Sequence, residues 1–199
     1  MQVTKDYIKN NIQEAARQLF LEKGYADVSM REIAEKAQVG LSNIYNYFKN
    51  KDELFLLVVQ PAIEAFEQFL NPKDPPYTLG IFAEESARHQ LVSEYLSLIE
   101  RYKPQIDVLL FRSKDSSLEN FKSDFTKKVT EKVKRQLQER QDAHNAPTLH
   151  ISDFAIHMHI VWLFTLFEEA IKSGFSREEL ENSINDYIQF ETNDYRKLA

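Results

Sequence analysis

Three short polar side chains, Ser42, Asn43 and Asn46, are the residues of this chain best suited to reading another molecule's hydrogen-bonding edge. Each can both donate and accept, and each lies on the polar crest of a short predicted helix. Tyr45 and Tyr47 fall on the flanks of that crest, and Lys49 and Lys51 stand at the start of the next helix. Amides of this kind read base edges in a DNA major groove, while tyrosines, lysines and helix N–H groups hold phosphates. Arg31 adds a cation on the preceding helix, and Thr4 and Lys5 can assist from the N-terminus.

Other chemistries find less support. His157 and His159 form an H-x-H pair, but positions two apart on a helix point about 200° apart and cannot share a metal. Glu84-Glu85 and Glu168-Glu169 lack a matching histidine or nucleophile and read as solvated faces. No Gly-rich phosphate loop, nucleophile elbow or H-E-x-x-H motif occurs, so the chain is not expected to be an enzyme, and no cofactor or metal is implied. Residues 122–149 carry seven Lys/Arg against four Asp/Glu, which reads as a basic but solvated outer face because Phe125, the one Phe, Tyr or Trp among them, belongs to the apolar stripe and not to the charged side.

The crest must be held by neighbouring elements, and the sequence supplies them. Ser29 with Glu32 is a capping box, and Met30, Ile33, Ala34 and Ala37 then give one apolar helical face. Gln38-Val39-Gly40 breaks this periodicity, with Gly40 expected to supply the freedom for a sharp turn. A second helix follows over 41–48, with Leu41, Ile44 and Phe48 facing inward. Asn50 and Glu53 cap the helix after it. Two short helices joined by a tight turn, the second polar on its outer side, form a helix-turn-helix.

The same residues carry a family resemblance. Phe20-x3-Gly24-Tyr25, Ser29-x3-Ile33-Ala34-x2-Ala37-x-Val39 and Ile44-Tyr45-x-Tyr47-Phe48-x2-Lys51-x2-Leu54 resemble the TetR family of bacterial transcriptional repressors. The likeness covers about the first quarter of the chain. This sequence departs from it at Gln38, where Gly is usual, at Gly40, where Ser is common, and at Ser42-Asn43, where Gly-Thr is common. The resemblance implies a DNA-binding domain over 4–63 and a helical ligand-binding and dimerisation domain over 64–199. It implies a homodimer on a palindromic double-stranded operator, released by a small lipophilic effector whose contacts the sequence does not identify. The alternative is a dimeric helical scaffold whose helix-turn-helix no longer binds DNA.

Composition agrees with an all-α protein: 199 residues hold only four Gly and six Pro, with amphipathic stretches throughout. Zero cysteines exclude disulfides and thiolate metal sites and fit a cytoplasmic location. No apolar run reaches the roughly 18 residues of a membrane span, so no membrane partner is expected. The net charge of -6 is unevenly placed: residues 1–60 balance eight Lys/Arg with eight Asp/Glu, leaving an acidic remainder. Such a balance predicts modest non-specific DNA affinity.

In order, helices are expected at 4–23, with Gly24 as its stop, and at 50–70, with Pro61 inside it as a kink or a break. Asn71–Pro76 is read as a linker. Further helices are expected at 77–102, 104–112, 117–141, 152–173 and 176–193. The helix at 152–173 is apolar on nearly every side and must be covered all round. Either a central position within one chain or a partner copy satisfies this. Trp162, Phe164, Phe167, Ile184 and Ile188 are the candidates for a dimer interface.

Overall fold

A computed structural model of the chain describes residues 2–70, 85–144 and 152–195. The Asn71–Pro76 linker, the start of the helix expected from Tyr77 and the loop around Pro147 lie outside them. The described residues form eight helices and no strand: α1 Gln2–Lys23, α2 Met30–Lys36, α3 Leu41–Ile44, α4 Lys51–Phe69, α5 Glu85–Phe111, α6 Phe121–His144, α7 Asp153–Lys172 and α8 Arg177–Tyr195.

Two compact units divide the chain, one of Met1–Glu64 with Tyr102–Phe121, the other of Ala65–Arg101 with Lys122–Ala199. The first therefore includes residues 102–121, which the sequence reading had grouped with the second half. The cause is visible at Ile106, Val108 and Leu109, which are buried, and at Arg112. Its guanidinium donates to the carbonyls of Leu21 and Glu22, each at 2.9 Å, closing the C-terminal end of α1 where helix carbonyls lack partners. Asp107 accepts from the same guanidinium.

The first unit is built on an amphipathic α1. Ile12, Ala15, Ala16 and Leu19 are buried along it, as its periodicity predicts. Gly24 ends the helix at φ 82°, with its N–H donating to the Phe20 carbonyl at 2.9 Å. Phe20, Tyr25 and Phe55 then form an aromatic cluster with ring centroids 5.0–6.0 Å apart.

Pro61 lies inside a single helix, α4, so it does not separate two shorter ones. Pro104 likewise sits inside α5, where a break had been expected. Pro104 is exposed and has no N–H to offer the Glu100 carbonyl, yet the helix runs on past it.

The second unit packs around aromatic rings. Phe66 lies 4.9 Å from Phe167 and 5.4 Å from Phe164, and Tyr95 stacks on Phe167 at 4.2 Å. Phe125, Val129 and Val133 bury the inner stripe of α6. Ser152 caps α7 by accepting from the Ala155 N–H at 3.1 Å. At α8 Ser176 and Glu179 form the expected reciprocal box, at 2.8 and 3.3 Å.

This packing corrects the expected dimer interface. Phe164 and Phe167 are enclosed within their own protomer, Phe167 at 0% exposure, and Ile184 is buried too. A side chain with no surface left has none to give a partner. Trp162 keeps part of its surface while stacking on Tyr187 at 3.9 Å. The Ile188 side chain lies outside the described residues. The outer stripe of α7 is instead marked by Phe154, 72% exposed, and Met158, 46% exposed. By length and composition Asp153–Lys172 could also cross a membrane, although the sequence reading found no such run. Its inner stripe, Ile156, Ile160, Leu163, Phe164, Phe167 and Ala170, is buried among the other helices of its unit.

Candidate nucleic-acid interface

The helix-turn-helix is assembled from its caps. Ser29 accepts from the Glu32 N–H at 3.2 Å, and Lys23 meets the Glu32 carboxylate at 2.5 Å. Lys23 foremost, with the Ser29 N–H also contributing, holds the Glu32 carboxyl below its ordinary range. Ile33 and Ala34 anchor α2 in the core. The chain then turns with the Val39 N–H donating to the Ala34 carbonyl at 3.0 Å.

That turn is made differently from the expectation. Gly40 has φ -67° and ψ 142°, an ordinary extended conformation open to any residue. The left-handed position is Gln38, at φ 57°. A side chain there costs about 1–2 kcal/mol, which glycine would avoid. Gly40 caps α3 without a side-chain hydrogen bond.

The reading helix is short. Only Leu41–Ile44 is regular α-helix, and the chain continues in tighter turns, with Asn46 N–H donating to the Asn43 carbonyl and Tyr47 N–H to that of Ile44, each at 3.0 Å. Ile44 and Phe48 are fully buried and fix the orientation of this segment. Ser42, Tyr45 and Asn46 are exposed, while Asn43 and Tyr47 are half-buried. Leu41, expected to face inward, is 38% exposed and lies on the outer side with Tyr45, 51% exposed. The outward arc is therefore rotated from the expected crest, toward Leu41 and Tyr45. Leu41 is the residue that the sequence reading missed. Periodicity alone does not separate its two sides, since about 100° per residue sets Leu41 some 40° from exposed Tyr45 and some 20° from buried Phe48.

Asn46 donates from Nδ2 to Asn43 Oδ1 at 3.2 Å, so the two amides hold each other. The pairing leaves Asn46 its Oδ1 acceptor and one N–H donor, the pattern that meets the N6 and N7 edge of adenine. At the start of α4, Asn50 accepts from the Glu53 N–H at 2.8 Å and Glu53 accepts from the Lys49 N–H at 2.7 Å.

The cations differ in their freedom. Arg31, Lys49 and Lys5 have exposed side chains. Lys51 is half-buried: Nζ donates to the Tyr25 carbonyl at 2.9 Å and lies 3.9 Å from the Tyr25 ring centroid. Burial lowers its pKa, with Asp115, Asp27 and Asp52 opposing. The Thr4 side chain lies outside the described residues. Among those residues, no group of three or more His, Cys, Asp or Glu is placed to hold a metal.

Residues 12–58 match a family described as bacterial regulatory proteins, tetR family. An HTH-type transcriptional regulator of Staphylococcus aureus (strain bovine RF122 / ET3-1) is 38% identical over 73 residues, 35% of this chain and 40% of that protein. The match thus spans less than half of that relative. Among solved structures, a TetR-like transcriptional regulator from Rhodococcus sp. RHA1 superposes with TM-score 0.59 at 16% identity, covering 96% of this chain and 95% of that one. The fatty acid degradation regulator FadR from Bacillus halodurans gives TM-score 0.56 at 18% identity, covering 90% and 96%. At these identities the likeness is one of fold.

Proposed function

We propose that this chain, whose residues 12–58 match the tetR family of bacterial regulatory proteins, is a cytoplasmic repressor that binds a palindromic operator as a homodimer. The observation that carries this reading is the outward arc of residues 41–48, α3 and the turns that follow it. Ser42, Tyr45 and Asn46 are exposed there, while Ile44 and Phe48 are buried beneath them. Ser42, Asn43 and Asn46 read bases in the major groove, and Tyr45, Tyr47, Arg31, Lys49 and Lys51 hold phosphates. A twofold dimer sets two such helices about 34–36 Å apart, one turn of DNA.

The operator is released when a small, apolar effector with a hydrogen-bond acceptor enters the second unit. Tyr95 supports this part: its hydroxyl is buried without a hydrogen-bond partner among the described residues. Burial also pushes its pKa well up, keeping the hydroxyl a donor. A buried donor left unmet costs about 1–3 kcal/mol, which an effector's acceptor offsets.

The test is selection of duplexes from a random library by the full-length protein. A recovered inverted repeat is expected, bound more weakly by Asn46→Ala at one position per half-site, by about 1–3 kcal/mol. Recovery of no sequence preference would sink the reading. For the effector, acyl and aromatic compounds bearing a carbonyl are screened for operator release, and Tyr95→Phe should blunt that release without weakening ligand-free operator binding.

A further inference from the structure

We propose that Leu41 is a specificity residue, packing its side chain against the C5-methyl of a thymine in each half-site; this rests on the DNA-binding reading above. The observation is an apolar side chain where solvent should have a polar one. Leu41 opens a four-residue helix whose other apolar anchor, Ile44, is fully buried. Leu41 itself remains 38% exposed, on the arc shared with Ser42, Tyr45 and Asn46.

The major groove offers one apolar feature among its donors and acceptors, the thymine methyl. An isobutyl group beside amides and a hydroxyl is complementary to that feature and to nothing else on a base edge. It makes no hydrogen bond, so it contributes by apolar packing, which depends on sequence when it falls on a thymine methyl and not when it falls on a deoxyribose. The neighbouring amide fits the same kind of site. Asn46, steadied by Asn43 at 3.2 Å, presents the acceptor and donor that suit adenine. The inferred half-site therefore contains A·T pairs read from both strands, one through its adenine edge and one through a thymine methyl.

The experiment uses the full-length protein and the duplex it selects. Each thymine is replaced in turn by uracil, which removes only the methyl and leaves pairing unchanged. Dissociation constants are measured for the wild type and for Leu41→Ala. At one thymine per half-site, uracil should weaken the wild type about fourfold, the worth of one buried methyl. Leu41→Ala should weaken binding to thymine DNA by a similar factor and lose little more on the uracil duplex. Losses that multiply, or a wild type indifferent to every uracil, overturn the inference while leaving sequence-specific binding intact. Failure to select any sequence overturns the DNA-binding reading, and this inference with it. Leu41→Ala removes no enclosed side chain, so its melting temperature should stay within a degree or two and serves as the folding control.

Discussion

Lys51 is folded onto Tyr25: its ammonium lies 3.9 Å from the ring centroid and donates to the Tyr25 carbonyl at 2.9 Å. The first contact is a cation–π attraction and the second a charge-assisted hydrogen bond, both in a half-buried setting that strengthens them. The lysine thus ties the first turn of α4 to the turn after α1, within one compact unit. A phosphate could still use its remaining donors, but the side chain is not a free surface cation.

Lys49 and Lys51 should therefore behave differently. Lys51→Ala is expected to cost about 1–2 kcal/mol of stability, read as a lower urea midpoint. Lys49→Ala, on an exposed side chain, should leave stability within about 0.5 kcal/mol. It should flatten the salt dependence of operator binding by about 0.9 in log–log slope. Equal stability of the two variants would show that the Tyr25 contacts hold nothing in place.

Gln38 makes a second prediction. It adopts φ 57° in the turn between α2 and α3, a conformation that penalises any Cβ. Gln38→Gly removes about 1–2 kcal/mol of strain and adds about 0.5–1 kcal/mol of chain entropy to the unfolded state. The net should be a gain of about 0.5–1 kcal/mol, seen as a higher melting temperature. Gln38→Val, β-branched at positive φ, should lower it. A Gly variant less stable than the wild type would mean that the glutamine side chain contributes more than its backbone costs.

Much of the reading head was legible because short-range rules govern it. The Ser29 and Asn50 caps, the α1 stripe and the buried pair Ile44 and Phe48 all follow from local spacing. Where the expectations failed, long-range packing or fine backbone geometry decided. A glycine and a glutamine two positions apart both suit a turn, and only the backbone shows which one is left-handed. Leu41 lies at the edge of the inward arc, where a small rotation changes its side. A helix apolar on every face, such as α7, does not reveal which stripe its own chain covers. That took Phe66, Phe125 and Tyr95, which meet Phe164 and Phe167 from distant parts of the sequence. The same holds for residues 102–121, whose place in the first unit depends on Arg112 reaching the end of α1.

That contact explains why Gly24 has no substitute. A Cβ added there would lie 2.8 Å from Arg112 Cβ and 3.1 Å from its carbonyl oxygen, and the glycine already sits at φ 82°. The Tyr25 N–H also donates to that carbonyl at 2.8 Å, so the neighbouring backbone cannot simply retreat. Gly24→Ala should combine left-handed strain with overpacking and cost about 2–4 kcal/mol in a urea titration. Arg112→Ala, which keeps the backbone contact but loses the guanidinium bonds, should cost less, about 1–2 kcal/mol. If the two lose the same amount, the close approach of backbone and side chain is not what Gly24 serves.

The last prediction separates the two faces of α7. Phe154 and Met158 lie four residues apart on its outer side, with Trp162 four further on, half-exposed against Tyr187. Three large apolar side chains at this spacing form one stripe, which water alone covers poorly. In the proposed homodimer the stripe of one protomer covers that of its partner. Met158→Glu places a charge in that contact without disturbing the protomer's own core. It should give a folded monomer by sedimentation, with helical signal retained and operator affinity sharply reduced. Phe167→Glu instead buries a charge among the rings of Phe66, Phe69 and Tyr95. It should unfold the second unit rather than merely separate the protomers. A Met158→Glu protein that remains dimeric and binds operator normally would place the interface elsewhere than on this stripe.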